Sequence, residues 1–308
     1  LFSGGAIARV LDGVHQRMRF VPDIEITLEA NPGTAEAENF RAYRTAGVNR
    51  LSMGVQSLND AQLKKLGRIH GATEARKAYA CARAAGFDNI NLDLMFALPL
   101  QTLAEAEADI AALIALQPEH ISYYQLTLEP NTEFAHHPPP LPDDDAAWAM
   151  QETGQQLLAE AGYGQYEVSA YARGPQARHN RNYWEFGDYL GIGAGAHGKR
   201  SAGRTVRRRA RHKHPKTYLE TAGSPAGVQE DRMIPAAELP FEYCMNALRL
   251  REGFAPASFT QRTGLPLDVL APGLAQARSK NLLAETTLRI QASELGWRHL
   301  NNLLRCFL

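Results

Sequence analysis

The segment Thr27-Leu28-Glu29-Ala30-Asn31-Pro32-Gly33-Thr34 ends one kind of pattern and begins another. Glu25 to Glu29 alternates polar and apolar residues as a strand does. Asn31-Pro32-Gly33 is a turn signal, and Thr34 is placed to cap a helix over Ala35–Ala46 that Gly47 stops. The same unit recurs downstream. Val48–Val55 predicts a second strand, and Asn59-Asp60 opens a helical pair that runs to Ala85 and stops at Gly86. Ile90–Leu98 is a third strand, Leu103–Leu116 a helix, and His120–Leu128 a fourth strand. An amphipathic helix over Ala6–Arg19, with Ile7, Val10, Leu11 and Val14 on one face, precedes them all. Strand and helix in regular alternation specify α/β architecture with parallel strands and right-handed crossovers. An open sheet and a barrel both satisfy that alternation. Either one gathers functional side chains at the C-terminal ends of the strands.

The chain has 308 residues, 44% of them hydrophobic, enough for a large domain and a smaller one. Its 33 basic and 33 acidic residues balance, so no global field selects nucleic acid. No apolar run is long enough to span a bilayer. Cys81, Cys244 and Cys306 lie too far apart for metal-ligand spacing, and so few cysteines fit a reducing compartment. These features predict a cytoplasmic protein without a signal peptide or transmembrane segment. Beyond the proline-rich, acidic break at His136–Asp145, a helix is expected over Asp145–Ala161 and a short strand over Gln165–Ala172. Gly, Ser and Pro cluster at Ala222–Gln229. That divides the chain into residues 1–222 and a mainly helical C-terminal domain, residues 223–308, with Phe241, Met245, Leu248 and Leu250 in its core.

Polar residues close the predicted strands: Glu29 the first and Gln56 the second, with Asp93 in the third and Thr127 near the end of the fourth. Arg68 follows Gln56 on the next helical segment. A parallel sheet buries both faces, so a carboxylate within it requires a ligand, a cation or an internal bonding network. Each residue alone reads as structural. Together on one rim they suit a zwitterion that carries a ribose.

Six ordered segments carry a family resemblance: Thr27–Thr34, Arg50-Leu51-Ser52-Met53-Gly54-Val55-Gln56-Ser57, Leu66-Gly67-Arg68-Ile69-His70, Asn91-Leu92-Asp93-Leu94-Met95, Leu98-Pro99-Leu100-Gln101-Thr102 and His120-Ile121-Ser122-Tyr123-Tyr124. The chain resembles, over essentially its whole length, radical S-adenosylmethionine proteins of the HemW and oxygen-independent coproporphyrinogen III oxidase group. The resemblance implies an incomplete (β/α) barrel with a helical, winged-helix-like C-terminal domain. It implies that S-adenosylmethionine lies across the strand ends. Arg68 would then fork onto the methionyl carboxylate, Glu29 would accept from the ammonium, and Gln56 and Asp93 would bond the ribose hydroxyls, with Thr127 on the adenine side. At Ala97 the family usually has glycine.

His179-Asn180-Arg181-Asn182-Tyr183-Trp184 is compatible, by residue types, with a packed His–aromatic cluster. That packed cluster is the reading residue types alone favour; the alternative is an imidazole ligand to heme iron, Tyr183 and Trp184 covering the porphyrin. Its spacing resembles the His-Asn-x-x-Tyr-Trp motif that is linked to heme in the HemW branch. There a cysteine often stands where this chain has Ala177. Gly193-Ala194-Gly195-Ala196-His197-Gly198 fits G-x-G-x-x-G, but no helix start follows it, and it resembles a glycine-rich family stretch instead. Arg207–His214 reads as a solvated basic loop, since no aromatics interleave it.

Radical chemistry in this family needs C-x-x-x-C-x-x-C, whose thiolates hold a [4Fe–4S] cluster; the motif occurs nowhere in the 308 residues. The resemblance places Leu1-Phe2-Ser3 just beyond a Gly-Gly-Gly-Thr-Pro segment. The first two strands and first helix of the barrel are therefore expected to be missing. The strand Ile24–Glu29 is then expected to be an exposed, aggregation-prone edge, and the chain inactive in S-adenosylmethionine cleavage. Three functions follow from the resemblance: a heme-binding protein that delivers heme to acceptor proteins, a coproporphyrinogen III dehydrogenase, or an inactive binding remnant.

Overall fold

The computed structural model describes residues 2–32, 37–286 and 288–308; the predicted cap Thr34 and the first residues of its helix lie outside them. The chain divides into two compact units, Leu1–Gln165 with Ser169–Gln176, and Tyr166–Val168 with Ala177–Leu308.

In the first unit α1 (Gly4–His15) leads to β1 (Thr27–Ala30), α2 (Ala37–Thr45), β2 (Arg50–Gln56), α3 (Asp60–Lys65) and α4 (Ala72–Ala84). β3 (Ile90–Phe96), α5 (Leu103–Ile114), β4 (His120–Gln125), α6 (Glu133–His136), α7 (Asp144–Glu160), β5 (Gly164–Glu167) and β6 (Ala170–Ala172) follow. The sheet order is β1-β2-β3-β4-β6-β5, with β1 to β4 parallel and β6 antiparallel to β4. This is the parallel α/β sheet expected from the alternation. β1 stands at its edge.

The strands are apolar runs because both faces are covered: Leu51, Met53, Ile90, Leu92 and Ile121 are fully buried among Phe40, Ile110 and Leu158 from the helices and Phe87 from the loop before β3. α1 begins two residues before the predicted Ala6. Ser3 Oγ accepts from the Ala6 N–H as its N-cap. Gly4 belongs in the helix because a Cβ there would collide with Ala42 of α2. The helical pair expected from Asn59 to Ala85 is α3 and α4, separated where Gly67 takes φ +67 and Gly71 starts α4. The single strand expected over Gln165–Ala172 is instead two short strands.

The second unit contains α8 (Arg178–Trp184), an antiparallel sheet of β7 (His197–Ala202), β8 (Thr205–Arg211) and β9 (Val228–Met233), and α9 (Pro215–Thr221) before β9. α10 (Leu239–Ala247), α11 (Pro256–Thr263), α12 (Ala271–Ser279), α13 (Glu294–Arg298) and α14 (Leu300–Leu304) form its helical end. Tyr243 is the hub of its core, with ring contacts to Phe186, Phe254 and Phe259. Of the predicted C-terminal core residues, Leu248 and Leu250 are buried, Phe241 is partly so, and Met245 is exposed. The basic run is a strand, not a loop. β8 alternates Val206 and Arg208 inward with Arg207 and Arg209 outward, and Arg208 pairs with Glu242 at 2.5 Å. Ala222–Gln229, where the sequence suggested a domain boundary, lies within this unit and runs from the end of α9 into β9.

Candidate functional site

In the first unit register alone brings one row of polar residues together. Glu29 pairs with Ser52, Ser52 with Asn91, Asn91 with His120, and Asp93 with Ser122. Asn91 is the junction. Its amide donates to Ser52 Oγ at 2.8 Å and to Asp93 Oδ1 at 2.7 Å, while its carbonyl accepts from Ser122 at 3.1 Å and from His120 Nδ1 at 2.6 Å. Burial pushes the Asp93 carboxyl above its ordinary range. The bonds from Asn91 and Ser122 oppose that shift, and the negative charge of Glu29 adds to it.

Gln56, at the end of β2, adopts φ +70 and is buried. Its amide folds back over Gly54; a Cβ on Gly54 would stand 2.8 Å from Gln56 Nε2 and 3.4 Å from Asn31 Oδ1. Tyr124 donates to Gln56 Oε1 at 2.9 Å. Its hydroxyl is pushed up to about 12 by burial, then by Asp93, against the opposing charge of Arg68. Gln56, Arg68, Asp93 and Tyr124 therefore share one electrostatic neighbourhood, which Glu29 reaches through Asp93. Arg68 and Glu29 are exposed at its rim. Thr127 stands beyond β4, also exposed, and donates to Glu129 at 3.2 Å.

The unusual backbone of Gln56 is held from behind. Asp109 of α5 accepts from Ser57 Oγ at 2.5 Å and from the Leu58 N–H at 2.9 Å, and burial raises its carboxyl above the ordinary range. Sequence reasoning missed Asp109, Asn91, Ser122 and Tyr124 as site residues. Period-two alternation was the available signal for three of them, since it puts Asn91 beside Asp93 and Ser122 beside Tyr124 on one face. Nothing local marks Asp109, which stands 52 residues from its partner Ser57.

A buried carboxylate bonded to neutral donors, beside a folded-back amide over a glycine, fits a vicinal diol. The hydroxyls can donate to Asp93 without adding charge. A guanidinium and a carboxylate at the rim fit the two ends of an amino acid. S-adenosylmethionine carries both parts. The residues present do not fit an iron–sulfur cluster. Cys244 and Cys306 are buried, burial pushes the Cys244 thiol up, and no group of three or more His, Cys, Asp or Glu among the described residues is placed to hold a metal ion.

In the second unit α8 carries the histidine motif. His179 and Tyr183 are four residues apart and so occupy one face of the helix. His179 is half-buried. Tyr183 packs edge-on against Tyr189 at 4.7 Å. Trp184 has the Arg249 guanidinium 4.3 Å above its ring, and its buried indole N–H lacks a hydrogen-bond partner. Tyr183 and Trp184 both line a cavity of about 390 Å³ with His197 and Lys199; His179 is not among its lining residues. Lys199 is 3% exposed. Its ammonium lies 4.0 Å over Phe186 and donates to Phe186 O at 2.9 Å and Asp188 at 3.2 Å, which fixes the turn after α8. Gly193–Gly198 runs through a loop into β7, so no helix follows it and it forms no dinucleotide fingerprint.

Comparison with known proteins agrees with these units. The radical SAM superfamily matches residues 6–113, and the HemN C-terminal domain matches residues 234–299. The heme chaperone HemW of Haemophilus influenzae is 48% identical over the whole chain and 80% of the relative. Its namesake in Escherichia coli is also 48% identical, over the whole chain and 81% of the relative. Mouse "Radical S-adenosyl methionine domain-containing protein 1, mitochondrial" is 44% identical over 65% of this chain and 46% of that protein. Among solved structures, the radical SAM enzyme coproporphyrinogen III oxidase (HemN) of Escherichia coli superposes with a TM-score of 0.81 at 21% identity. That superposition spans 99% of this chain and 74% of the enzyme, and it establishes the shared fold.

Proposed function

The chain belongs to the HemW family of radical SAM proteins, and from that premise we propose that it binds heme and delivers it to acceptor proteins. The observation that carries this reading is full-length similarity to relatives called heme chaperones, together with His-Asn-x-x-Tyr-Trp intact on α8. His179 supplies a neutral imidazole to the heme iron. Tyr183 shares its helix face, and Trp184 stands in the adjoining cavity. Heme is the cargo, so the site must release it; one imidazole on a short surface helix is a reversible ligand.

The strand-end site of the first unit holds S-adenosylmethionine. Asp93 and Gln56 accept from the ribose diol, Arg68 donates to the carboxylate, Glu29 accepts from the ammonium, and Thr127 borders the adenine. Bound to a reduced [4Fe–4S] cluster, S-adenosylmethionine supplies a 5′-deoxyadenosyl radical in this superfamily. The cysteines of this chain offer no such cluster, so no step is assigned through it. The chain works in the cytoplasm. None of its described helices is long and apolar enough to cross a membrane. The first unit carries the S-adenosylmethionine site and the second the histidine motif, with the winged-helix-like part at the C-terminal end of the second.

Two incubations test the reading. With heme, the chain develops the absorbance of an imidazole-ligated species, which His179→Ala abolishes. With coproporphyrinogen III it forms no protoporphyrinogen; turnover would replace the carrier reading with the enzymatic one. For the first unit, Glu29→Ala and Arg68→Ala each weaken S-adenosylmethionine binding about tenfold, the loss of one charge-assisted bond. Unchanged affinity in both would remove the assignment.

A further inference from the structure

The outward face of the three-stranded sheet concentrates positive charge beside exposed apolar side chains. Arg200 pairs in register with Arg207, and Arg209 with Asp231, so all four project on the side opposite buried Val206 and Lys199. Asp231 is shared: Arg207 Nε donates to Oδ1 at 3.0 Å and Arg209 to Oδ2 at 2.6 Å. Arg200 has no ion-pair partner among the described residues. One carboxylate therefore serves two of the three guanidiniums, and both are held with donors to spare.

The chain that crosses this face is built to lie close. Tyr189 bridges Lys199. Gly191 and Gly198 permit the contact, since a Cβ on Gly191 would collide with the His197 carbonyl. That path leaves Leu190 and Ile192 60% and 73% exposed beside the arginines. Together they line a cavity of about 410 Å³. An adjoining cavity of about 820 Å³ shares Ile192, Arg209 and Asp231 with it. A concave site of this size, with apolar walls and forked cations, matches an apolar body that carries carboxylates.

We propose that this face is a second binding site, which takes the carboxylates of an amphipathic dianion through Arg200, Arg207 and Arg209. Resting on the heme-carrier reading, that dianion is a porphyrin gripped by its propionates and not by its metal. The site is separate from His179, which lines neither cavity. Charge-based capture here would need no iron ligand, so it would accept a metal-free porphyrin.

Fluorescence titration of metal-free protoporphyrin IX into the full chain is the test. Wild type and His179→Ala bind it equally. Arg200→Glu, which breaks no ion pair, and the double variant Arg207→Glu/Arg209→Glu each bind at least tenfold more weakly. Leu190→Ser/Ile192→Ser also weakens binding, and circular dichroism shows each variant folded. The dimethyl ester of protoporphyrin, with its charges removed, binds wild type at least tenfold more weakly than the free acid. Equal binding of ester and acid, or wild-type affinity in folded Arg200→Glu, overturns the proposal. So does porphyrin binding lost in His179→Ala. A chain that binds protoporphyrin through the arginines but takes up no heme through His179 would sink the carrier reading and leave the anion site standing.

Discussion

Substituting Asp109 with alanine should disable the first unit's site without touching the ligand. Asp109 holds the β2 exit through two bonds, from Ser57 Oγ at 2.5 Å and from Leu58 N–H at 2.9 Å. Those bonds fix the segment in which Gln56 takes φ +70, a conformation that disfavours a side chain by about 1–2 kcal/mol. Removing the carboxylate leaves a buried hydroxyl and a largely buried amide unsatisfied, at about 1–3 kcal/mol each. Relief of a desolvated acid and entry of water return part of that, so a net loss of about 3 kcal/mol is expected. For a unit of this size each kcal/mol lowers Tm by about 2–4 °C, which gives a fall of about 6–12 °C. Gln56, no longer held, should lose its bond to Tyr124, and S-adenosylmethionine affinity should drop about tenfold. Thermal melts and isothermal titration of the full chain, with Asp109→Asn as the conservative control, read both quantities. A Tm within 2 °C of wild type, or unchanged affinity at the lower Tm, would refute the clamp.

Ala97 takes φ +55 where glycine is favoured, so Ala97→Gly should stabilise the chain by about 1 kcal/mol in urea unfolding; a loss of stability would mean its buried methyl matters more. Asp93→Asn carries a pH signature. The folded pKa of Asp93 is raised, so its contribution is present below the ordinary carboxylate range near about 4 and is lost as pH rises through the folded value. The melting temperature of Asp93→Asn relative to wild type should therefore climb as pH rises above about 4, and a flat difference would contradict the burial argument. Arg249→Ala removes the cation over Trp184 and its ion pair with Glu167, whose side chain is 3% exposed. A loss of about 2 kcal/mol is expected, discounted for the partly exposed arginine, with a change in tryptophan fluorescence.

The parallel strands were legible because burial on both faces writes them as apolar runs, as in Leu51–Val55 and Ile90–Leu94. Glu29, Gln56 and Asp93 were legible for the complementary reason, being polar residues where such runs end. What escaped was long-range. The Ser57–Asp109 clamp joins two helices' worth of intervening chain, and no local pattern encodes it. β8 was misread as a loop because charge on both faces hides its alternation. Only the partners Glu242 and Asp231, far along the chain, make Arg208 an inward residue and Arg207 and Arg209 outward ones. At Ala97 the family's glycine was noted from sequence, but its reason, a positive φ, needed the backbone.

The heme-carrier proposal stands on His179 of α8 as the ligand to heme iron. Replacing His179 with cysteine and recording the visible and electron paramagnetic resonance spectra of the heme-loaded full chain tests it most directly. The imidazole signature of wild type should give way to a thiolate signature in His179→Cys and disappear in His179→Ala. Identical spectra in all three proteins would contradict it.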